Sequence, residues 1–223
     1  MQQTKTSALL RIFLFGTTIP YWLWLANQKF TVAAIWAGVV GAVAACYPII
    51  WLGRRLLDAK PTQAQMQRVT TGVHFSLLLC LGTAIVVAIF TATTWRGWLI
   101  PLDRRISLVL MAVTGLTSFM TVINLAFHGL GAPFAIKLTR RVATDWFYAW
   151  TRNPMVLSFL AFFVALGLWF QSALFVIWVL IGLVPAWVVF LKVYEERELE
   201  IRLGAPYLEY RSRTAFMWPR RRR

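Results

Sequence analysis

The sequence predicts an all-α fold, a polytopic transmembrane bundle of about six helices that includes a C-terminal helical hairpin. Three observations carry this. Of the 223 residues, 59% are hydrophobic, with 16 Phe and 12 Trp, more than a soluble domain of this size normally holds. The apolar residues gather into runs close to the ~20 that cross a bilayer core as a helix. The 23 Lys and Arg fall mainly between those runs and are unevenly shared between the two membrane faces they imply.

The first helix is expected from Ala8 to Ala26. Lys5 and Arg11 resemble the start of a signal peptide, but Pro20 and bulky Trp residues follow and no small-residue cleavage site does, so it reads as a retained helix. The second runs from Thr31 to Leu52. Its Ala33, Ala37, Gly41 and Ala45 recur at every fourth position, which suits close helix approach in lipid. The third runs from Gly72 to Trp95 and the fourth from Ile106 to Phe127. Two further apolar segments, Pro154 to Phe170 and Ala173 to Val193, are parted only by Gln171 and Ser172. The first of these arms is short, and the pair reads as a re-entering hairpin whose tip its neighbours bury. Cys46 and Cys80 lie inside two of the helices without metal-ligand spacing, so no metal is expected.

The formal net charge is +15. Basic chains often bind nucleic acid, but here the basic residues flank apolar spans, so nucleic acid is not an expected partner. Four of the 23, Lys29, Arg96, Arg104 and Arg105, fall on one face and nineteen on the other. That imbalance places both termini in the cytoplasm. The terminal run Arg220 to Arg223 suits anionic lipid headgroups.

Only eight acidic residues are present, and five of them, Glu195, Glu196, Glu198, Glu200 and Glu209, crowd together after the hairpin. Like charges towards a helix C-terminus are unfavourable. One reading is a solvated helix continuing out of the bilayer, with Arg197 and Arg202 as partners. The other is a ligand site. Before the hairpin stands Arg152-Asn153-Pro154, where Asn153 suits an N-cap and Pro154 the first helical position. An antiparallel hairpin returns Glu195 to the face that holds Arg152, giving a cationic and an anionic pole. Between such poles a ligand with a carboxylate and an ammonium fits. S-adenosylmethionine has both, and its sulfonium is attracted by aromatic faces such as Trp146, Phe147, Tyr148, Trp150 and Tyr194.

The order of three motifs, "YAWTRNPM" from Tyr148, "EERELEIRLGAPYLEY" from Glu195 and "RTAFMWPR" from Arg213, resembles the isoprenylcysteine carboxyl methyltransferase-like group, which includes phospholipid methyltransferases. The matching positions are Tyr148, Arg152, Asn153, Pro154, Glu195, Glu196, Leu199, Gly204, Tyr207, Tyr210, Arg213 and Pro219, with a Gly/Pro-rich loop, "GLGAPF", upstream from Gly129. The pattern is departed from at Trp146 and Ser158, where it has Gly, and at Val156, where it has Tyr. The resemblance divides the chain into a four-helix transmembrane region, 1–128, and a methyltransferase-like region, 129–223. It implies an S-adenosylmethionine cofactor held at the cytoplasmic face and a lipophilic or small-molecule methyl acceptor entering from lipid. Arg152 and Glu196 are then the catalytic candidates. Tyr148, Trp150, Asn153, Pro154, Glu195, Tyr207 and Tyr210 join them in binding the cofactor. Glu195 or Glu196 meets its ammonium, Arg152 pairs with an anionic group of cofactor or acceptor, and the two late tyrosines line the entrance. No general base is identified, and His128 reads as an interfacial residue.

Overall fold

The computed structural model describes residues 12–91, 100, 102–128 and 141–218. Among them there is no β-strand, and seven helices carry most of the chain. These are α1 (Ile12–Ala26), α2 (Val32–Ala59), α3 (Gln63–Thr91), α4 (Arg104–His128), α5 (Pro154–Trp169), α6 (Ala173–Leu203) and α7 (Ala205–Arg213). A 3-10 turn, Trp146–Ala149, precedes α5. Four of the helices, α2, α3, α4 and α6, are long and apolar enough to cross a membrane. The Gly/Pro-rich loop, Pro219 and the terminal arginines lie outside the described residues.

Three helices extend beyond the apolar runs that announce them. α2 continues past Leu52, α3 starts before Gly72, and α6 continues past Val193. Hydropathy marks only the stretch that suits lipid. Beyond it, ion pairs one turn apart sustain the helix: Arg54 with Asp58 at 2.6 Å and Arg202 with Glu198 at 3.0 Å. The core is built where α2, α3, α5 and α6 meet. Val39, Cys46, Ile50 and Leu57 of α2, Leu77 and Val87 of α3, Phe163 of α5, and Phe175, Leu183 and Leu191 of α6 are all buried there.

The small-residue stripe of α2 is not its packing face within the chain. Ala33, Ala37 and Gly41 are exposed, and a wider π-type turn runs over Ala37–Gly41. Gly38 makes the close approach instead: a Cβ there would stand 2.9 Å from Val87 Cγ2. The wide turn also bares a carbonyl, and Trp178 Nε1 of α6 donates to Val39 O at 2.9 Å. Of the two wide turns of α6, Val179–Leu183 and Phe190–Glu195, the later is met likewise by Arg54 Nη1 of α2, which donates to Val193 O at 3.0 Å.

The α5–α6 hairpin does not turn back at mid-height. Its tip is fastened beside the start of α4: Gln171 Nε2 donates to Leu102 O at 3.1 Å, Ile100 N donates to Gln171 O at 3.1 Å, and Arg104 stacks over Trp169 at 5.9 Å. Short α5 reaches this far because the preceding segment runs beside the other end of α4, where His128 Nδ1 lies 2.9 Å from Asp145 Oδ2. Ser172 caps α6 by accepting from Phe175 N at 3.2 Å. Both ends of the 141–218 segment thereby come to the end of the bundle opposite that tip.

Candidate functional site

At that end, the RNP segment, the late part of α6, α7 and the chain after α7 converge. Pro154 sits at the first position of α5, where its missing amide costs nothing. Asn153 occupies the cap position, but its side chain makes no capping bond. Its Nδ2 donates to Phe216 O at 2.8 Å instead. Thr151 Oγ1 donates to the same carbonyl at 3.2 Å, and Arg152 N donates to Ala215 O at 2.8 Å. Three consecutive residues are thus clamped by the segment that follows α7.

The clamp sets the Arg152 guanidinium, which lies over the Phe216 ring at 5.5 Å. Arg152 Nη1 is 2.7 Å from Glu196 Oε1. The two expected poles therefore meet, as a contact pair and not as walls facing across a gap. The pair is poorly satisfied. Neither Arg152 Nη1 nor Nε, both buried, has an acceptor in hydrogen-bonding alignment. A buried cationic donor left in this state costs on the order of a few kcal/mol. Such a group fits the carboxylate of S-adenosylmethionine, and a glutamate shared among cations fits its ammonium.

Glu196 and Glu200, one turn apart on α6, both face Arg211 of α7. Arg197 Nη1 reaches Glu200 at 3.1 Å and its Nε reaches Asp58 Oδ1 at 2.9 Å. An alternating series, Arg152, Glu196, Arg211, Glu200, Arg197, Asp58 and Arg54, therefore joins the RNP segment to α2. The acids facing away from it behave differently. Glu198 is 2% exposed, pairs with Arg202, and keeps Oε1 without a hydrogen-bond partner. The solvated-helix reading describes Arg197 and Arg202 correctly as partners but not the burial of Glu198.

Tyr148, Tyr207 and Tyr210 are all buried. Tyr210 Oη donates to Tyr148 O at 2.7 Å, tying α7 to the 3-10 turn. Burial holds all three phenols well above the usual range; at Tyr207 the charges of Glu196 and Glu195 add to it and Arg152 opposes them. These tyrosines are thus neutral donors at physiological pH. Glu195 is half-buried and close enough for its charge to act on both Tyr148 and Tyr207. The Trp150 indole, 56% exposed, lies at the surface. Trp146 is also exposed, and Tyr194 is buried on the α3 side, 3.0 Å from Thr70 Oγ1.

Sequence reasoning did not single out Arg211, Phe216, Thr151 or Arg54. The motif arginine it did single out, Arg213, pairs with Glu209 on the open surface. The helix period offered a signal for Arg211: residues 207, 210 and 211 lie on adjacent faces of one short helix, so an arginine beside two buried tyrosines faces the same junction.

Residues 103–204 match the family model described as phospholipid methyltransferase. The match agrees with the motif resemblance, begins at the start of α4 and ends after α6. No match is found among curated proteins or among solved structures. The four long apolar helices are those of an integral membrane protein, and the segment 103–204 is similar to phospholipid methyltransferases.

Proposed function

We propose, from that similarity to phospholipid methyltransferases, that the chain is an S-adenosylmethionine-dependent methyltransferase acting on a lipophilic or small-molecule acceptor. One observation carries the reading: a guanidinium with two buried, unaligned nitrogens stands against a glutamate in a junction closed by three neutral tyrosines. Arg152 would hold the cofactor's carboxylate, and Glu196, with Glu195 beside it, the ammonium. Tyr148, Tyr207 and Tyr210, all buried, would wall the site from inside instead of lining an entrance, and Asn153 and Pro154 would hold Arg152 in place. The cofactor, when bound, supplies an activated methyl group on sulfur. The protein's share is alignment and exclusion of water, effects that reach roughly 7–11 kcal/mol when an acceptor is held in line. Both termini face the cytoplasm in this reading, and the terminal arginines meet anionic headgroups.

A second reading, a non-catalytic membrane scaffold that keeps the family fold, is favoured by the direct Arg152–Glu196 contact and by Val156 at the motif tyrosine position. Titration of the purified protein in lipid with S-adenosylmethionine and its demethylated product separates the two. The methyltransferase reading expects saturable binding and transfer of radiolabelled methyl into a lipid extract. Absence of both leaves the scaffold.

A further inference from the structure

α4 is built inside-out for a helix in water. Its buried residues are Ser107, Thr121 and Asn124, all polar. Its exposed residues include Leu108, Val109, Val113, Leu116 and Phe119, which suits lipid. The hydroxyl of Thr121 is satisfied on its own helix, donating to Ser118 O at 2.7 Å. Asn124 is not satisfied. It is 2% exposed, and neither Nδ2 nor Oδ1 has a hydrogen-bond partner. A carboxamide carries two donors and two lone pairs, and leaving all of them unmade in an apolar interior is costly.

The position of Asn124 follows from contacts on either side of it. Before it, Gly115 abuts Phe162 of α5, where a Cβ would stand 3.5 Å from the ring. After it, one turn on, His128 meets Asp145 just ahead of the 3-10 turn. Antiparallel packing between these points puts Asn124 level with the first residues of α5, hence with the RNP segment. The two least satisfied polar side chains of this end, Arg152 and Asn124, then stand at one height on neighbouring elements. The outer face of α4 is apolar and exposed, as at Phe119 and Phe127, which suits lipid.

We propose that Asn124 is the polar anchor for the methyl acceptor, and that its amide selects a lipophilic molecule whose head both donates and accepts hydrogen bonds. Oδ1 takes an N–H or O–H of the head, and Nδ2 gives to one of its oxygens. A bare carboxylate, which only accepts, leaves Oδ1 unmet and is selected against. This rests on the methyltransferase reading above.

The test compares wild type with Asn124→Leu, which keeps the volume and removes the polar atoms. In detergent alone, Asn124→Leu is expected to unfold at the same temperature as wild type or higher, since an unmet polar group has been replaced by an apolar one. A lowered Tm overturns the proposal by making Asn124 structural. S-adenosylmethionine affinity is expected within twofold of wild type. Micelles doped with phosphatidylethanolamine, whose head donates and accepts, are expected to raise the wild-type Tm more than micelles doped with phosphatidylcholine, which has no donor. The variant is expected to lose that difference, and its KM in methyl transfer to phosphatidylethanolamine to rise tenfold or more. Equal Tm shifts by both lipids in wild type, or a difference retained in the variant, overturn the anchor. If wild type binds no S-adenosylmethionine, the methyltransferase reading fails separately, and the lipid-dependent Tm difference alone decides for or against Asn124.

Discussion

Arg152 Nη1 of the RNP segment stands 2.7 Å from Glu196 Oε1 of α6, with the whole hairpin between them in sequence. Arg152 is 13% and Glu196 21% exposed, so the pair is shielded without being sealed. Each partner holds the other's charge in a place that neither occupies cheaply alone.

Removing either partner is therefore expected to act on binding and on stability together. Arg152→Ala and Glu196→Gln should each weaken S-adenosylmethionine binding at least tenfold, about 1.4 kcal/mol. The double variant should lose less than the sum, because the first change already strands the second group. Calorimetric titration of all four proteins checks this; strict additivity would show that the two side chains act independently.

Arg54 lies on α2, yet it donates to Val193 O in the wide turn just before Glu196. Arg54→Ala leaves that carbonyl unmet and removes the pair with Asp58, at a cost of about 1 kcal/mol given its partial exposure. Cofactor affinity should fall severalfold as the phase of Glu195 and Glu196 relaxes. Asp58→Asn, which keeps the Val193 bond, should fall less. Chemical denaturation and cofactor titration of both variants give the comparison.

Gly53 is where α2 presses on its neighbours. A Cβ at this position would stand 2.5 Å from Val73 Cγ2 and 2.9 Å from Tyr194 Cε2. Gly53→Ala should cost about 1–3 kcal/mol through overpacking. Gly72→Ala meets nothing within 4 Å and should stabilise α3 by roughly 0.5–1 kcal/mol. Thermal unfolding of the two variants should move in opposite directions.

Alkaline pH should loosen the junction. Tyr148, Tyr207 and Tyr210 keep their protons in the fold at pH values where unfolded tyrosines, near 10, lose them. The unfolded chain then binds fewer protons, so stability falls as pH rises. The contribution of these groups is fully present below about pH 10 and declines above it. Tm measured from pH 8 to 11 should drop at the upper end. Tyr210→Phe, which loses the bond to Tyr148 O, should destabilise by about 1 kcal/mol.

Composition and order were enough to establish several things. Apolar runs announced the membrane helices, because transfer from water to lipid depends on residue type and run length and hardly on the partner. Pro154 announced the start of α5, because a missing amide is a local property. The acids clustered after the hairpin were expected to return to the face that holds Arg152, and Glu196 does, because a hairpin has few ways to return its arms. Tertiary structure alone decided the remainder. That Asn153 bonds the chain after α7 instead of capping α5, that Arg211 and not Arg213 faces Glu196, and that Asn124 is left unmet all depend on which surfaces meet. The wide turns made the difference larger. An added residue in a helical turn rotates every later side chain by about 100°, and no one-dimensional period records where that rotation falls.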